Sequence, residues 1–413
     1  MTSTGFYSSL INVDRAIELA TSFIRELDIG VEKINVWSGL NRIIAEDIYA
    51  ERDQPCCLKS YVDGYAVKAS DIQGASFSNP VRLFVKGLLK PGENPSKYVL
   101  KNGEAVEVYT GSPLPIGSDT VVMYEDVVRD GDYIDVFKTL SVYSNVAQIG
   151  EDYRKGDLLV SRRTVLKPQH LAIIASSGLF EISVYEKIRI GLICTGSEVL
   201  DKPVNHIDYG VYNSTCILVK NMVEQLGFTE IKYYGTIPDE TSIIDKTLSK
   251  ALSENHVLIT CGGAGFSEND VLSRIVDRKG FYVFRGVALR PGKPTSLAIL
   301  NNKPVFLLSG FPVAAWCGLE AIVIPVIHKL MGVEPPFKPC FKTILKRNVP
   351  NVIGYRSYVR VKIYRVKDEL YSEPYGLRGS GVLSSLVKTN GFIIIPEDCE
   401  GYSEGSIVDT YLY

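Results

Sequence analysis

The sequence has little of what marks several common classes of protein. Its 45 lysine and arginine residues nearly balance 47 aspartate and glutamate residues, so neither a nucleic-acid surface nor a basic membrane-binding patch is indicated. The amino terminus lacks the basic region and unbroken apolar stretch of a secretory signal. The longest apolar run, LEAIVIPVIHKLMG, is interrupted by Glu320, Pro325 and His328 and is shorter than the roughly 20 residues that a spanning helix needs. We therefore expect a cytoplasmic protein with no nucleic-acid or membrane partner.

Motifs of the commoner hydrolytic enzymes are also missing. The eight cysteines form no CxxC pair and show no spacing typical of a zinc site, which predicts reduced, mostly buried thiols. His170, His206, His256 and His328 show no ligand spacing, and there is no G-x-S-x-G elbow, Walker loop or H-E-x-x-H helix. Conventional nucleophilic hydrolysis and zinc hydrolysis are therefore disfavoured.

The patterns that are present divide the chain into several regions. A length of 413 residues predicts two to four domains, at roughly 100 to 200 residues each. Apolar spacings of three and four predict an amphipathic helix over 13–29. Short alternating runs over 50–140 indicate a β-rich module, whereas 185–335 alternates apolar strands with helical segments, as in stacked βαβ units around a mostly parallel sheet. Period-two alternation returns after the proline-rich MGVEPPFKP and predicts a small β domain at the carboxy end.

Helix-capping residues mark where the helices of the α/β region begin. Asn213 or Ser214 is suited to cap one helix, and Asp239 stands near the start of the next. Ser267 and Asp270 have the S-x-x-D spacing of a capping box before a third.

Four acidic residues stand beside glycine-rich turns and are the first candidates for chemistry. They are Asp63 in SYVDGYAV, Asp152 in GEDYRKG, Glu198 in CTGSEVL and Asp270 in CGGAGFSEND. A single acid in such a place is more often a helix cap or a solvated loop residue. The functional interpretation therefore depends on the whole set.

Two of these loops should meet at one edge of the parallel sheet. TGSEVL and CGGAGFSEND both follow apparent strands, and ligands of α/β domains bind outside the carboxyl ends of strands. Backbone amides at Gly196, Gly262 and Gly263 can approach a phosphate, and neighbouring carboxylates such as Glu198 and Asp270 commonly hold Mg²⁺. The combination predicts a phosphorylated ligand with a metal ion, although the GG turn taken alone is explained as well by a tight turn with a capping acid.

Two further loops carry cations and a hydroxyl group. Arg290 and Lys293 in VALRPGKPTS flank a proline and glycine turn and could bind an oxyanion through charge-assisted hydrogen bonds, or simply be solvated. Thr110 in TGSPLPIGSDTVVMYEDV lies in what is otherwise a rigid loop between two strands.

Taken in order, these segments resemble a known family. SYVDGYAV resembles the SAMDGYAV signature of the molybdopterin molybdenumtransferases, the MoeA/gephyrin E-domain family. TGSPLPIGSDTVVMYEDV resembles their TGAPLPEGADAVVMxED, and GEDYRKGD resembles their GEDIRxGE. CTGSEVL, the GG loop, LRPGKP, LSGFPVAA and the tail segment GSGVLSSLVKTNGFIIIPED follow in the family's order. The resemblance covers almost the whole chain, and eight motifs in one order make chance agreement improbable.

The resemblance implies a multidomain α/β fold with four domains. These are a linking helical domain (1–50 with 140–184), a β-rich inserted domain (51–139), a three-layer α/β molybdopterin-binding domain (185–335) and a carboxy-terminal β-barrel (336–413). It also implies a homodimer whose active site is shared between subunits, with Asp63 acting in trans, and a molybdopterin adenylyltransferase as a candidate partner.

The implied reaction takes adenylylated molybdopterin and molybdate or tungstate, releases AMP and inserts the metal with the help of Mg²⁺. The catalytic set would be Asp63, Asp152, Glu198 and Asp270, with Glu198 and Asp270 at the Mg²⁺. The substrate-binding set would be Thr110, Gly196, Gly262, Gly263, Arg290 and Lys293. Because molybdate and tungstate carry the same charge and similar geometry, these residues do not distinguish them.

Three loops depart from the family pattern. GGVSVGxxD becomes GGAGFSEND, LPGNPVSA becomes LSGFPVAA, and YDSN becomes YNST. The changes fall at Asn213, Thr215, Gly265, Ser267, Ser309, Phe311 and Ala314. They leave two alternatives open: a non-catalytic pterin-binding or scaffolding paralogue, and a metal-assisted hydrolase of ordinary nucleotides.

Overall fold

The protein is described by a computed structural model that covers residues 10–24, 27–204, 209–265, 271–376 and 379–413. The chain forms two compact units. The described residues of Met1–Ala45, Arg163–Lys167 and Ile182–Tyr413 make up the larger unit, and Glu46–Arg162 with Pro168–Glu181 make up the smaller one. The finer division into four domains stays a prediction from the resemblance.

Eight α-helices lie in the described residues. They are α1 (Val13–Phe23), α2 (Pro168–Ser176), α3 (Ser214–Glu224), α4 (Thr241–Glu254), α5 (Val271–Lys279), α6 (Pro312–Gly318), α7 (Ile324–Leu330) and α8 (Ser384–Lys388). The π-helical turn Leu319–Val323 joins α6 to α7, and single 3₁₀ turns span Val36–Ser38, Pro95–Lys97 and Tyr124–Asp126.

Helix α1 is shorter than its apolar spacing predicts. The spacing continues to Leu27, but the helix ends at Phe23 because Ile24 adopts extended backbone angles. Leu27 still packs against the core from outside the helix. Apolar spacing therefore identified the buried face correctly and placed the end of the helix too far along the chain.

The smaller unit contains the region over 50–140 that the sequence predicts to be rich in β-strands. Strands β1 to β12 are Val31–Asn35, Ile48–Tyr49, Lys59–Ser60, Gly64–Val67, Val81–Leu89, Glu104–Val108, Thr120–Met123, Val127–Asp130, Tyr133–Val136, Val146–Ala147, Leu158–Val160 and Glu181–Tyr185. Strand β1 and all but the first residue of β12 belong to the larger unit, where they pair with each other. Six of the other strands form a mixed sheet in the order β7-β4-β6-β5-β9-β8. A Cβ on Gly64 in the buried β4 would lie 2.0 Å from Val122 O, so the DG pair of SYVDGYAV requires glycine there.

A three-layer α/β domain forms the centre of the larger unit. Strands β13 to β21 are Ile188–Thr195, Val199–Leu200, Val211–Tyr212, Thr229–Ile237, Val257–Cys261, Gly280–Arg285, Leu289–Arg290, Ser296–Leu300 and Lys303–Leu308. The main sheet has the order β16-β13-β17-β21-β20-β18, in which the first four strands are parallel and the last two are antiparallel to their neighbours. Helices α1, α3, α6 and α7 contribute to the core on one face of the sheet and α4 and α5 to the core on the other. The predicted mostly parallel sheet is confirmed.

The carboxy-terminal segment closes into a small barrel, as predicted. Strands β22 to β28 are Cys340–Leu345, Val349–Pro350, Arg356–Val366, Glu369–Pro374, Gly391–Ile395, Gly401–Tyr402 and Ile407–Leu412. Five of them form the closed ring β24-β25-β22-β28-β26, since β26 also pairs with β24. Strand β19, which lies between β18 and β20 in the chain, adds to β24 in parallel and so joins the α/β domain to the barrel.

One apolar helical segment is longer than its sequence suggests. Pro312–Leu330, which spans α6 to α7, has a mean hydropathy of 1.6 and is by length and composition the one described helix that could cross a membrane. The prediction that this run is too short for a membrane-spanning helix was therefore wrong about the length of the helix. Buried residues make up 72% of its apolar window, and they pack in the main core of the larger unit. The apolar character is accounted for by core packing.

Candidate functional site

The carboxyl ends of β13, β17 and β21 meet at one edge of the α/β sheet and open into a cavity of about 890 Å³. It is lined by the loops that follow those strands, including Glu198, Gly262 and Ser309, and by the start of α3. The two glycine-containing loops that sequence placed on one rim therefore do line one cavity.

The GG turn lies directly against the end of β13. Gly262 and Gly263 have φ angles of +92° and +62°. A Cβ on Gly262 would lie 2.4 Å from Thr195 O, so both the backbone angle and the space require glycine. The Thr195 hydroxyl beneath this turn is buried and has no hydrogen-bond partner among the described residues. The turn thus exposes backbone to the cavity and leaves an unpaired polar group at its floor.

Two carboxylates among the described residues line the cavity. Glu198 is exposed, and its Oε2 lies 3.0 Å from where a Cβ on Gly196 would be. Asp239 is the second, held beside the same loop by a hydrogen bond of 3.2 Å from its backbone N–H to Ser197 Oγ. Asp270, with the capping box that it would form with Ser267, lies outside the described residues.

Asp239 is a cavity residue that sequence reasoning missed. The sequence suggested only that it stands near the start of α4, whereas α4 begins at Thr241 with Glu240 in the capping position. The signal that could have found Asp239 is its place two residues after Ile237, where β16 ends. That strand is parallel to β13, so its carboxyl end faces the same edge of the sheet.

This donor set fits Mg²⁺ better than a transition metal. Within the described ranges, no three His, Cys, Asp or Glu side chains are grouped as metal ligands. Mg²⁺ prefers oxygen ligands, keeps several waters and is often held by only one or two carboxylates together with phosphate. Glu198 and Asp239 offer such a pair of carboxylates.

Two of the departures from the family pattern hold the cavity loops in place. Asn213 accepts a hydrogen bond from Cys216 N at 3.0 Å and so caps α3, as predicted. Its side-chain amide also donates to Asp201 Oδ1 at 2.9 Å. Partial burial raises the pKa of Asp201, but the hydrogen bonds from Asn213, Tyr233 and Thr236 lower it more, so the pKa stays below its ordinary value.

Thr215, the other departure in YNST, fixes the LSGFP loop. Its hydroxyl donates to Gly310 O at 2.7 Å. The start of α3 is thereby tied to the loop that follows β21, which lies beside the GG turn, since a Cβ on Gly310 would be 3.6 Å from Gly262 Cα.

The predicted cations line a second cavity, of about 750 Å³. Arg290 and Lys293 lie on its wall, and the Lys293 ammonium stands 4.7 Å from the centre of the Tyr355 ring. The resemblance implies one active site that contains both these cations and the carboxylates. The structure separates the two sets into neighbouring cavities, which share Ser309, Phe311 and Pro294 as lining residues.

Arg360 is a third cation on this cavity and was not foreseen. It is 4% exposed, and burial lowers its pKa. Its guanidinium donates to Ser385 Oγ at 3.2 Å, Tyr358 O at 3.3 Å and Gly376 O at 2.5 Å, all of them neutral acceptors. A buried cation whose hydrogen bonds go to neutral groups keeps its charge available to an anion in the cavity.

The smaller unit brings its own predicted residues together. Asp63 Oδ1 accepts hydrogen bonds from Thr110 N at 2.7 Å and from Thr110 Oγ1 at 2.9 Å. The Tyr61 hydroxyl donates to Glu151, which precedes Asp152, and so links the SYVDGYAV segment to GEDYRKG. Asp152 itself is exposed, with its backbone N–H bonded to Gln54 O. Three of the family-like segments therefore meet in this unit.

The cysteines are free, as predicted, but only half of them are buried, so the prediction of mostly buried thiols was wrong. All eight cysteines are described and free, and four are buried: Cys194, Cys216, Cys261 and Cys317. His328 is buried, with Nδ1 2.8 Å from Ile324 O, and burial lowers its pKa. His206 lies outside the described residues.

Three family models match the chain and together span most of it. The MoeA N-terminal region (domains I and II) matches residues 11–178, the "Probable molybdopterin binding domain" matches 191–329, and the MoeA C-terminal region (domain IV) matches 342–413. Their order is that of the segments on which the sequence resemblance rests.

Individual relatives are similar over nearly their whole length. A protein of Methanocaldococcus jannaschii named for molybdopterin biosynthesis is 37% identical over 390 residues, which cover 92% of each chain. The molybdopterin molybdenumtransferase of Bacillus subtilis is 31% identical, over 97% of this chain and 94% of the relative. The crystal structure of the MoeA molybdopterin biosynthesis protein of Pyrococcus horikoshii has a TM-score of 0.84 at 31% identity and covers 98% of this chain and 100% of that one.

Proposed function

This chain belongs to the MoeA family of molybdenum cofactor biosynthesis proteins, and on that premise we propose that it is a molybdopterin molybdenumtransferase. In this proposal it takes adenylylated molybdopterin and molybdate or tungstate, cleaves the phosphoanhydride in the presence of Mg²⁺, transfers the metal to the dithiolene sulfurs of molybdopterin and releases AMP.

The observation that carries the proposal is the pair of neighbouring cavities. One has carboxylates and a glycine turn, and the other has three cations, with Ser309 and Phe311 on the boundary that they share. Joining an oxyanion to a phosphorylated ligand needs two anion sites that are close together and that differ in character. Carboxylates suit a site where a divalent cation accompanies phosphate, and guanidinium and ammonium groups suit a free oxyanion.

The first cavity would hold the phosphoanhydride. Glu198 and Asp239 would hold Mg²⁺, with Asp270 as the further ligand that the resemblance implies. When bound, Mg²⁺ would neutralise phosphate charge and polarise the bond to be broken. Backbone amides at Gly196, Gly262 and Gly263 would orient the phosphate oxygens, since glycine allows the chain to approach an anion closely.

The second cavity would hold molybdate or tungstate. Arg290 and Lys293 would attract the dianion, and Arg360 would add a fixed guanidinium whose side chain is already ordered. Because Arg360 is buried before the ligand arrives, little of its conformational entropy remains to be lost on binding.

The residues of the smaller unit would complete the site. Asp63 and Asp152 would act with the first cavity, and Thr110 would keep Asp63 ionised. That they do so across a homodimer, from one subunit to the other, is a prediction from the resemblance. Light scattering tests it, because a chain that stays monomeric while it turns over would contradict a site shared between subunits.

The decisive experiment measures AMP release from adenylylated molybdopterin with Mg²⁺, with and without molybdate or tungstate, for wild type and Asp270→Ala. We expect release that depends on the oxyanion and is lost in the variant. Tight binding without release would instead favour the non-catalytic scaffold, and release from ordinary nucleotides without an oxyanion would favour the nucleotide hydrolase.

A further inference from the structure

Phe311 occupies a position where a phenylalanine weakens the fold locally. It is the N-cap residue of α6, where Ser, Thr, Asp or Asn would accept a backbone hydrogen bond, and its side chain makes no such bond. The ring is also 60% exposed. The family pattern LPGNPVSA has asparagine at this position. This chain therefore has an exposed aromatic ring where the pattern has a good helix cap. Residues that break a local rule in this way are found most often at functional sites.

The ring stands between the two cavities and lines both. Its backbone is held on both sides: Phe311 N donates to Ser309 Oγ at 3.2 Å, and Gly310 O accepts from Thr215 Oγ1. One edge of the ring lies close to Gly381, where a Cβ would be 3.2 Å from Phe311 Cδ1. The loop and the neighbouring glycine therefore fix where the ring is presented.

We propose that Phe311 is a substrate-contact residue that stacks on a planar heteroaromatic ring of the ligand, an inference that rests on the proposed function. The polar groups of the two cavities account for phosphate and oxyanion and leave the flat part of the ligand to aromatic side chains, and among the described residues Phe311 is the aromatic one that lines both cavities. An exposed phenyl face offers stacking to any such ring, and stacking of a base on an aromatic side chain typically changes affinity by tenfold or more.

Pterin and adenine share this chemistry, and binding measurements separate them. Calorimetric titrations with AMP, with molybdopterin and with the adenylylated form would be made on wild type, Phe311→Leu and Phe311→Asn. In both variants we expect Kd to rise about tenfold for two ligands: the free ligand whose ring stacks on Phe311, and the adenylylated form, which contains that ring. Leucine keeps the apolar surface but lacks the π-face, so Phe311→Leu tests the stacking itself. The other free ligand should bind as before and so identify which ring is stacked.

The melting temperature separates ligand contact from a structural role. Phe311→Asn restores a capping side chain, so we expect its Tm to equal or exceed that of wild type while its Kd rises. Phe337→Asn is the matched control, since Phe337 is 90% exposed and lines neither cavity. A lower Tm for Phe311→Asn with unchanged Kd values would overturn the proposal in favour of simple packing against Gly381.

The inference can fail while the proposed function stands. If wild type and Phe311→Asn both release AMP in a molybdate-dependent way with equal KM, and all three ligands bind both proteins equally, only the stacking role is overturned. If wild type releases no AMP, the proposed function fails whatever the stacking result.

Discussion

Asp63 and Thr110, 47 positions apart in the chain, are joined by two hydrogen bonds. The Asp63 carboxylate accepts from both the backbone N–H and the hydroxyl of Thr110, at 2.7 and 2.9 Å. Both donors favour the charged form, so they hold the pKa of Asp63 below its ordinary value, the backbone bond more strongly than the hydroxyl bond. The carboxylate on the SYVDGYAV turn therefore stays ionised to lower pH than a free aspartate.

Replacing Thr110 with valine should move the acid limb of the pH profile. Thr110→Val keeps the backbone donor and the side-chain shape but removes the hydroxyl, so the pKa of Asp63 rises and the ionised form is lost at a higher pH. We expect the acid limb of kcat/KM for AMP release to shift to higher pH. Thr110→Ser should restore the wild-type profile. An unshifted profile in Thr110→Val, together with an inactive Asp63→Asn, would show that the hydroxyl plays no part in keeping Asp63 charged.

Removing a cation from the second cavity should weaken oxyanion binding. We expect Arg290→Ala and Lys293→Ala each to raise the KM for molybdate about tenfold, because each loses one charge-assisted contact of roughly 1.5 to 3 kcal/mol. Binding of AMP, followed by calorimetry, should change little. Lys342→Ala is the matched control, since Lys342 pairs with Asp409 on the barrel and lines neither cavity. An unchanged KM for molybdate in both cavity variants would show that the oxyanion does not bind in the second cavity.

Neutralising a carboxylate of the first cavity should raise the requirement for Mg²⁺. Asp239→Asn and Glu198→Gln keep the size of the side chain and remove one negative charge that favours the cation. We expect the Mg²⁺ concentration for half-maximal AMP release to rise about tenfold in each. Glu224→Gln, on the exposed side of α3, serves as the control. If Asp239→Asn behaves like this control, Asp239 lines the cavity without a role in metal binding.

The shared rim could be predicted from sequence because it depends on order along the chain. TGSEVL and the GG turn each follow a buried strand, and the carboxyl ends of parallel strands lie at one edge of a sheet. Asp239 was overlooked because an acid two residues before a helix looks like a cap. Its position at the cavity follows only once β16 is known to pair with β13.

Arg360 could not be found from sequence for a different reason. In RSYVRVKIYRV it is one of three arginines on an alternating strand, and alternation does not tell which face a barrel will bury. Closure of the ring through the pairing of β24 with β26 leaves Arg360 4% exposed. The pairing of strands that are distant in sequence therefore decides which arginine reaches the cavity, and the alternation of residues along one strand does not predict that pairing.

A partly buried histidine should make the larger unit less stable in mild acid. His256 Nδ1 accepts a hydrogen bond from the backbone N–H of Arg189 at 3.1 Å, which requires that nitrogen to be unprotonated. Burial lowers the pKa of His256 to about 4, and the charges of Arg189 and Lys303 act in the same direction, against a smaller opposing effect of Asp28. An unfolded histidine has a pKa of about 6.5, so between these two values the unfolded chain binds a proton that the folded chain does not. Stability is therefore complete above about pH 6.5 and is lost as pH falls towards 4.

Urea unfolding followed by tryptophan fluorescence would test this, because both tryptophans, Trp37 and Trp316, belong to the larger unit. From pH 7 to pH 5 we expect the free energy of unfolding to fall by about 1 kcal/mol through His256, after allowance for solvent screening of this partly exposed ring. His256→Asn keeps a side-chain acceptor for Arg189 N–H but cannot be protonated there. Its free energy of unfolding should therefore fall by about 1 kcal/mol less than that of wild type over the same pH range. An equal loss in wild type and His256→Asn would mean that the acid sensitivity arises from other groups.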